Sequence, residues 1–154
     1  MLLFRRTDSS NTDFQSLVSL LDADLRIRDG EEHAFYAQYN KTQDIRNVIV
    51  AYEDAKAVAC GAFKYFEDSC VEIKRMFTLP EYRGRAIGLK LLTELEKWAA
   101  ELNYKECVLE TGIKQPEAIR LYTKAGYTRI ENYGQYAGVE NSVCMKKKLQ
   151  LIFE

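Results

Sequence analysis

A short segment of glycines and arginines, RGRAIG at positions 83–88, is the part of the sequence best suited to bind a ligand. Gly84 and Gly88 allow backbone N–H groups to approach a ligand closely, and Arg83 and Arg85 add fixed positive charge. A helix that begins at Gly88 would add the unpaired N–H groups of its first turn and the positive end of its dipole. These features favour a phosphate or pyrophosphate. The alternative is an ordinary turn whose glycines only shape the backbone and whose arginines are solvated.

Two regular elements must hold this segment in place. The apolar run from Val71 to Phe77, with its β-branched start and the stop at Pro80, predicts a buried strand. After the segment, apolar residues recur at helical spacing and predict an amphipathic helix with a buried stripe; they are Leu91, Leu92, Leu95, Trp98, Ala99 and Leu102. A further strand, Glu106–Glu110, follows this helix. A strand–helix–strand crossover of this kind requires parallel pairing of the two strands.

The remaining elements are predicted from the same patterns of periodicity, caps and turns. We expect strands at Leu2–Phe4, Val48–Tyr52, Ala57–Phe66, Tyr127–Ile130 and Ser142–Leu149, and helices from Asp13 to about Arg28, over Glu31–Tyr39 and over Pro116–Ala125. The two strands before the central one should form a hairpin, and the last two strands should pair. The loop between the last two strands, 133–138, is rich in glycine, and we expect its two aromatic side chains, Tyr133 and Tyr136, to be exposed.

Composition limits the classes of protein to consider. The chain has 154 residues, of which 47% are hydrophobic, which suits one globular domain over 1–154. Its net charge of −1 gives no overall attraction to nucleic acid. The sequence starts without a signal-peptide pattern and contains no apolar run long enough to span a membrane, so we expect a cytoplasmic protein. Four cysteines without CxxC spacing and a single histidine predict buried free thiols and no metal site.

Two motifs carry a resemblance to a known family. The 83–88 segment differs from both the P-loop and the dinucleotide fingerprint. It instead resembles the acyl-CoA-binding motif [QR]xxGx[GA] of the GNAT superfamily of N-acetyltransferases, with Ala86 where glycine is commonest. Downstream, Gln115 followed by AIRLYTKAGY at 118–127 is similar to the AxxLYxKxGY hallmark of the same superfamily. The resemblance covers about Val48 to Leu149.

The resemblance implies both a fold and a co-substrate. The fold would be a single-domain mixed α/β sheet of order β-α-α-β-β-β-α-β-α-β-β, with a splay between the central strands. Acetyl-CoA would be the acyl donor. Its pyrophosphate would lie on Arg83, Gly84, Arg85, Ala86, Ile87 and Gly88, its pantetheine on the main chain of Met76, Phe77 and Thr78, and Gln115 would hydrogen-bond it.

The resemblance also implies a catalytic pair. Glu72, four residues before Met76, would be the general base, acting through water on an amine of pKa about 10.4. Tyr122 would protonate the departing thiolate. The alternatives are that Glu72 simply pairs with Lys74 and that Tyr122 only fills the core. If so, the chain would be a non-catalytic acyl-CoA-binding or regulatory module of the same fold.

The acceptor is the least readable part of the sequence. In the superfamily the acceptor pocket is usually shaped by segments that correspond here to 26–39 and 133–138, which makes His33, Tyr36 and Tyr136 candidate substrate contacts. Acidic residues near the first segment favour a cationic amine of a small molecule or peptide; they are Asp22, Asp24, Asp29, Glu31 and Glu32. Those charges are also compatible with a solvated helix face. The oligomeric state stays open, a homodimer included.

Overall fold

The computed structural model describes residues 1–29 and 44–150. The seven strands are β1 (Leu2–Thr7), β2 (Asn47–Glu53), β3 (Lys56–Glu67), β4 (Cys70–Thr78), β5 (Glu106–Gly112), β6 (Thr128–Ile130) and β7 (Ser142–Lys148). The helices are α1 (Thr12–Asp29), α2 (Ile87–Glu101) and α3 (Pro116–Lys124). Single 3-10 turns occupy Pro80–Tyr82 and Gly134–Tyr136. The predicted helix over Glu31–Tyr39 lies outside the described residues, as do His33 and Tyr36.

All seven strands form one mixed sheet of order β1-β2-β3-β4-β5-β7-β6. Neighbouring strands are antiparallel except β4 and β5, which are parallel, as the crossover through α2 requires. The mixed α/β fold, the hairpin and the final strand pair are therefore confirmed. β4 and β5 pair only where Cys70–Glu72 faces Glu106–Val108. Beyond that point both strands continue without pairing to each other, which is the predicted splay.

The two faces of the sheet are covered by different helices. Arg6 of β1 forms an ion pair with Glu101 of α2, with Nη1 2.7 Å from Oε1, and its guanidinium lies 4.9 Å from the Trp98 ring centroid. On the opposite face, the Tyr52 hydroxyl donates to Asp13 of α1 at 2.7 Å. Because side chains alternate along a strand, these contacts assign α2 to one face and α1 to the other.

The amphipathic stripe of α2 is buried as predicted except toward its C-terminal end, where Trp98 is half-buried and Leu102 is exposed. Leu91, Leu92 and Leu95 are fully buried, and burial of each contributes about 1.5–3 kcal/mol. The prediction for Leu102 was wrong, because its side chain is 48% exposed. The helix ends at Glu101 and Leu102 is its C-cap, so the helical spacing no longer directs that side chain into the core.

A β-bulge interrupts β4 just where it leaves β5. Ala62 of β3 pairs with Lys74 and Cys60 with Phe77, so Gly61 alone faces two residues of β4. Arg75 takes a positive φ of 59° there. A Cβ at Gly61 would lie 2.4 Å from the Met76 sulfur, so a larger residue opposite the bulge would have to displace that side chain. Such a bulge turns two consecutive side chains toward one face of the sheet.

Candidate active site

The larger of two neighbouring cavities, about 290 Å³, lies between the end of β4, the 83–88 loop and α3. Most of the predicted cofactor residues line it, namely Met76, Phe77, Thr78, Arg83, Gly84, Ala86, Ile87, Gly88 and Gln115. Arg85 is the exception, since its guanidinium lies 5.0 Å from the Tyr82 ring centroid. The loop and the strand end are thus brought together as the sequence predicted, with Arg83 but not Arg85 in the lining.

The start of α2 offers unpaired donors to this cavity. Ala86 is the N-cap residue, with φ 62°, and it has no side-chain acceptor to cap the helix. The N–H of Lys90 bonds to the Ala86 carbonyl at 3.0 Å, so the N–H groups of the preceding helical residues lack an intrahelical acceptor. Gly84, with φ 81°, has no heavy atom within 4 Å of an added Cβ, which leaves the loop open to a ligand. Donors, dipole and open space together fit a pyrophosphate.

Arg83 connects this loop to the end of β4. Its Nε donates to the carbonyl of Thr78 at 2.9 Å, and its guanidinium lies 5.6 Å from the Phe77 ring centroid. These contacts fix the loop against the strand. One N–H of Arg83 and one lone pair of the Thr78 carbonyl are therefore already used within the protein, which leaves Arg83 fewer donors for a phosphate than the sequence suggested.

The smaller cavity, about 110 Å³, occupies the splay between β4 and β5. Its walls carry ionisable side chains, with Glu72, Lys74 and Arg75 from β4 and Glu110 from β5, and Leu21 and Leu25 of α1 also line it. Both cavities share Met76, Gln115 and Tyr122 as lining residues. A small polar chamber therefore adjoins a longer, more apolar groove at the point where the two strands separate.

Glu72 lies at the last position where β4 pairs with β5 and is 4% exposed. The Tyr133 hydroxyl donates to its Oε2 at 2.7 Å, and Nζ of Lys74 lies 3.9 Å from its Oε1. Burial, reinforced by the charge of Glu72, raises the pKa of the Tyr133 phenol, so Tyr133 keeps its proton and remains a donor. The pairing with Lys74 that the sequence left open is present, and Glu72 lines the small cavity as well.

Tyr122 of α3 lies where the two cavities adjoin. Its ring is 7% exposed and belongs to the hydrophobic core, with the Tyr127 ring centroid 5.9 Å away. Its hydroxyl makes no hydrogen bond to any other residue of the described ranges. Burial, with a smaller contribution from Glu110, raises the pKa of Tyr122, so the phenol stays protonated at neutral pH. Tyr122 thus combines a core position with a place in the lining of both cavities.

Comparison with known proteins agrees with this geometry. Residues 14–127 match the model of the Acetyltransferase (GNAT) family. The chain belongs to this family. A relative named IAA acetyltransferase from Azospirillum brasilense is 37% identical over 107 residues, 69% of each chain. This GNAT chain is therefore an acyltransferase.

Solved structures of GNAT proteins share the fold over nearly the whole chain. An acyl-CoA N-acyltransferase from Klebsiella pneumoniae subsp. pneumoniae aligns with a TM-score of 0.82 and 30% identity, covering 97% of this chain and 99% of the other. The PaiA N-acetyltransferase of Thermoplasma acidophilum, solved with coenzyme A, aligns with a TM-score of 0.71 and 20% identity over 96% and 99% of the two chains. At that identity the second likeness supports the fold alone.

The prediction of two exposed aromatics in the loop before β7 was wrong. Tyr136 is 1% exposed, and Tyr133 is half-buried against Phe66 and Tyr136, with ring centroids 4.8 and 5.9 Å away. The 3-10 turn at Gly134–Tyr136 folds both rings back onto the sheet. Tyr136 nevertheless lines the small cavity, so its assignment to the acceptor side stays a prediction.

Sequence reasoning missed four polar residues of this GNAT site. Lys74 and Arg75 follow Glu72 after one intervening residue, but no sequence pattern showed that a bulge turns both toward one face. Glu110 ends the run of residues predicted as a strand, a position where side chains of parallel strands commonly meet a ligand. Tyr133 contacts Glu72 across 61 residues of chain, which no local pattern reveals.

Other chemistry finds little support in the described ranges. No group of three His, Cys, Asp or Glu residues within 1–29 and 44–150 could hold a metal ion. All four cysteines are buried free thiols, as predicted, and burial raises the pKa of Cys60 to about 12, which suppresses the reactive thiolate. None of the helices seen in those ranges is long and apolar enough to cross a membrane.

Proposed function

We propose that this GNAT acyltransferase moves an acetyl group from acetyl-CoA to a primary amine of a small molecule or peptide. The observation that carries the proposal is the junction of the two cavities at Met76 and Tyr122. On one side lies a groove that ends in unpaired helix N–H groups, and on the other a polar chamber that contains Glu72. An acyl group held in the groove and an amine held in the chamber would meet at this junction.

The residues that line the groove suit acetyl-CoA as the acyl donor. Acetyl-CoA would supply an activated thioester. The first turn of α2 and the open backbone at Gly84 would hold its pyrophosphate. β4 no longer pairs with β5 beyond Glu72, so main-chain groups of Met76–Thr78 on that side would bind the pantetheine amides. A backbone N–H at Met76 aimed at the acyl oxygen would stabilise the negative charge that develops there.

Glu72 and Tyr122 would handle the protons of the transfer. Glu72 accepts one proton from the acceptor ammonium through a water molecule, which leaves a neutral nucleophilic amine. The amine nitrogen bonds to the acyl carbon, the carbon–sulfur bond breaks, and the Tyr122 phenol gives its proton to the sulfur. The second proton lost by the nitrogen restores the phenol. The products are the N-acetyl amine, the free thiol and one proton released to solvent from Glu72.

A non-catalytic acyl-CoA-binding module remains the second candidate, because Glu72 is already held by Tyr133 and Lys74 and Tyr122 is part of the core. Under this alternative the groove binds acetyl-CoA and the chamber only stabilises the fold. The two candidates agree on donor binding and differ on turnover.

Release of free thiol from acetyl-CoA tests both. Amino acids, polyamines, aminoglycosides and peptides would each be incubated with the protein, and the acetylated product would be identified by mass. We expect thiol release above the rate without acceptor for at least one class, together with saturable acetyl-CoA binding in calorimetry. Binding without turnover across the panel would favour the module, and absence of binding would contradict both.

A further inference from the structure

The small cavity contains two neighbouring cations that the proposed chemistry does not use. Lys74 and Arg75 are consecutive on β4, and their side chains are only 9% and 2% exposed. In a regular strand they would point to opposite faces. The bulge at Arg75 instead lets both side chains line the cavity on the face that α1 covers.

Arg75 has donating capacity beyond its ion pair. Its Nη2 lies 2.5 Å from Oδ1 of Asp22 on α1, and Asp22 is itself partly exposed. Within the described ranges, the buried Nε of Arg75 has no hydrogen-bond acceptor. A guanidinium has five N–H donors in a fork that matches a carboxylate, and a buried donor left without an acceptor is costly. An anionic group in the cavity would supply the acceptor that the Arg75 Nε lacks, after a small movement of the arginine side chain.

Negative charge lies in the same chamber. Glu72 and Glu110 line it together with the two cations, and Lys74 Nζ is 3.9 Å from Glu72 Oε1. The chamber therefore presents both signs of charge within about 110 Å³. Pockets that enclose drug-sized ligands have about 300–1,000 Å³, so this one suits a small molecule.

We propose that the acceptor is a small amino-acid-like zwitterion, whose ammonium group faces Glu72 and whose carboxylate is bound by Lys74 and Arg75. This inference rests on the proposed acetyl transfer and names the substrate class of the same site. On binding, the ammonium takes the place of Lys74 beside Glu72, while the carboxylate takes the place of Glu72 beside Lys74. Each buried charge then keeps an opposite partner, which offsets the desolvation cost.

An acceptor without a negative group fits this chamber poorly. A simple amine or polyamine would place its positive charge beside Lys74 and Arg75, and although Asp22, Glu72 and Glu110 lie nearby to balance it, it would bring no acceptor for the buried Nε of Arg75. Repulsion in a cavity shielded from water is stronger than the same repulsion at a surface. The structure thus favours discrimination by the anionic group, whereas the sequence suggested attraction of a purely cationic amine by the acidic residues near α1.

The test compares each proteinogenic amino acid with its carboxamide and with its decarboxylated amine, using thiol release from acetyl-CoA. We expect kcat/KM for the best amino acid to exceed that of its carboxamide by about 10- to 100-fold, as for loss of hydrogen bonds to charged groups. Lys74→Met should bring this ratio close to one, mainly through KM. Arg75→Lys keeps the charge but not the guanidinium fork, so it should also lower the ratio. It is chosen because it disturbs the fold less than a larger change at this buried position.

Lys64→Met is the matched control, because Lys64 is exposed on β3 directly opposite Glu72. It should leave the ratio unchanged, and all variants should bind acetyl-CoA with parental affinity in calorimetry. Carboxamides or polyamines used as well as amino acids would overturn the zwitterion while leaving the acetyl transfer in place. The zwitterion would also be overturned if the ratio of amino acid to carboxamide kept its parental value in both Lys74→Met and Arg75→Lys. Failure of every amine to release thiol would instead overturn the acetyl transfer itself.

Discussion

Replacement of Tyr122 by phenylalanine separates the position of this residue in the core from the proton transfer proposed for it. The substitution removes one oxygen and keeps the ring that packs against Tyr127. The Tyr122 hydroxyl bonds to no other residue in 1–29 and 44–150, so the free energy of unfolding should change by less than about 1 kcal/mol. If the phenol protonates the thiolate, kcat should still fall by about 10²–10⁴-fold.

Tyr122→Ala gives the complementary measurement. Removal of a buried aromatic ring should lower the free energy of unfolding by about 3–5 kcal/mol. For a chain of this length each kcal/mol corresponds to roughly 2–4 °C in Tm, so the loss is easily measured. If Tyr122 only fills the core, Tyr122→Ala should show this loss of stability and Tyr122→Phe should keep the parental kcat.

Tyr127→Phe is a matched control in the same aromatic cluster. The Tyr127 hydroxyl donates to Oε2 of Glu96 at 2.8 Å in the core and lines neither cavity. Its loss should cost about 1.5–3 kcal/mol of stability, as for hydrogen bonds to charged groups, with kcat unchanged. Steady-state kinetics with a saturating acceptor and thermal unfolding of all three variants complete the comparison. Parental kcat in Tyr122→Phe would remove the phenol from the mechanism.

Four further predictions concern the groove, the base and stability. Ala86→Asp places a negative charge at the start of α2, so it should abolish acetyl-CoA binding in calorimetry without loss of stability. Ala86→Gly, the control, should keep the parental affinity. Parental affinity in Ala86→Asp would contradict the assignment of the pyrophosphate to this loop. Glu72→Gln should lower turnover most near neutral pH and less at high pH, where the amine loses its proton unaided; a pH–rate profile that superimposes on the parental one would leave Glu72 a structural role. Gly61→Ala, whose Cβ would lie 2.4 Å from the Met76 sulfur, should cost about 1–3 kcal/mol in urea unfolding, and an unchanged midpoint would show that the bulge adapts. Burial raises the pKa of the Cys60 thiol from 9.0 to about 12, so with rising pH the thiol loses its proton in the unfolded chain before it does so in the folded protein. The free energy of unfolding should therefore fall as pH rises through that window, and it should fall less steeply in Cys60→Ala.

The elements around the 83–88 loop were predictable because their signals are local. The helical spacing of Leu91, Leu92 and Leu95 identifies the buried face of α2 without reference to the rest of the chain. Parallel pairing of β4 with β5 follows from the crossover between them. Most residues that line the larger cavity could be predicted for the same reason, since they lie within one continuous strand–loop–helix unit.

The acceptor side could not be predicted because its contacts are long-range. Tyr133 reaches Glu72 from a loop 61 residues away, and the burial of Tyr136 depends on how that loop folds onto the sheet. The bulge at Arg75 lies opposite Gly61 of the adjacent strand, where an added Cβ would meet the Met76 side chain. A glycine in a strand pattern signals such irregularity, but its position does not show which partner residue is extruded.

The bulge in β4 ties the two halves of the proposed site to each other. Without the extra residue, Arg75 would point toward α2 and leave Lys74 as the sole cation of β4 in the small cavity. The residues that follow, Met76–Thr78, would also shift in register, because a change of one residue exchanges the two faces of a strand. The same irregularity therefore determines both which main-chain groups face the groove and which charges face the small cavity proposed for the acceptor. Donor position and acceptor chemistry are then set by one local feature of β4, so a substitution at Gly61 should disturb both together.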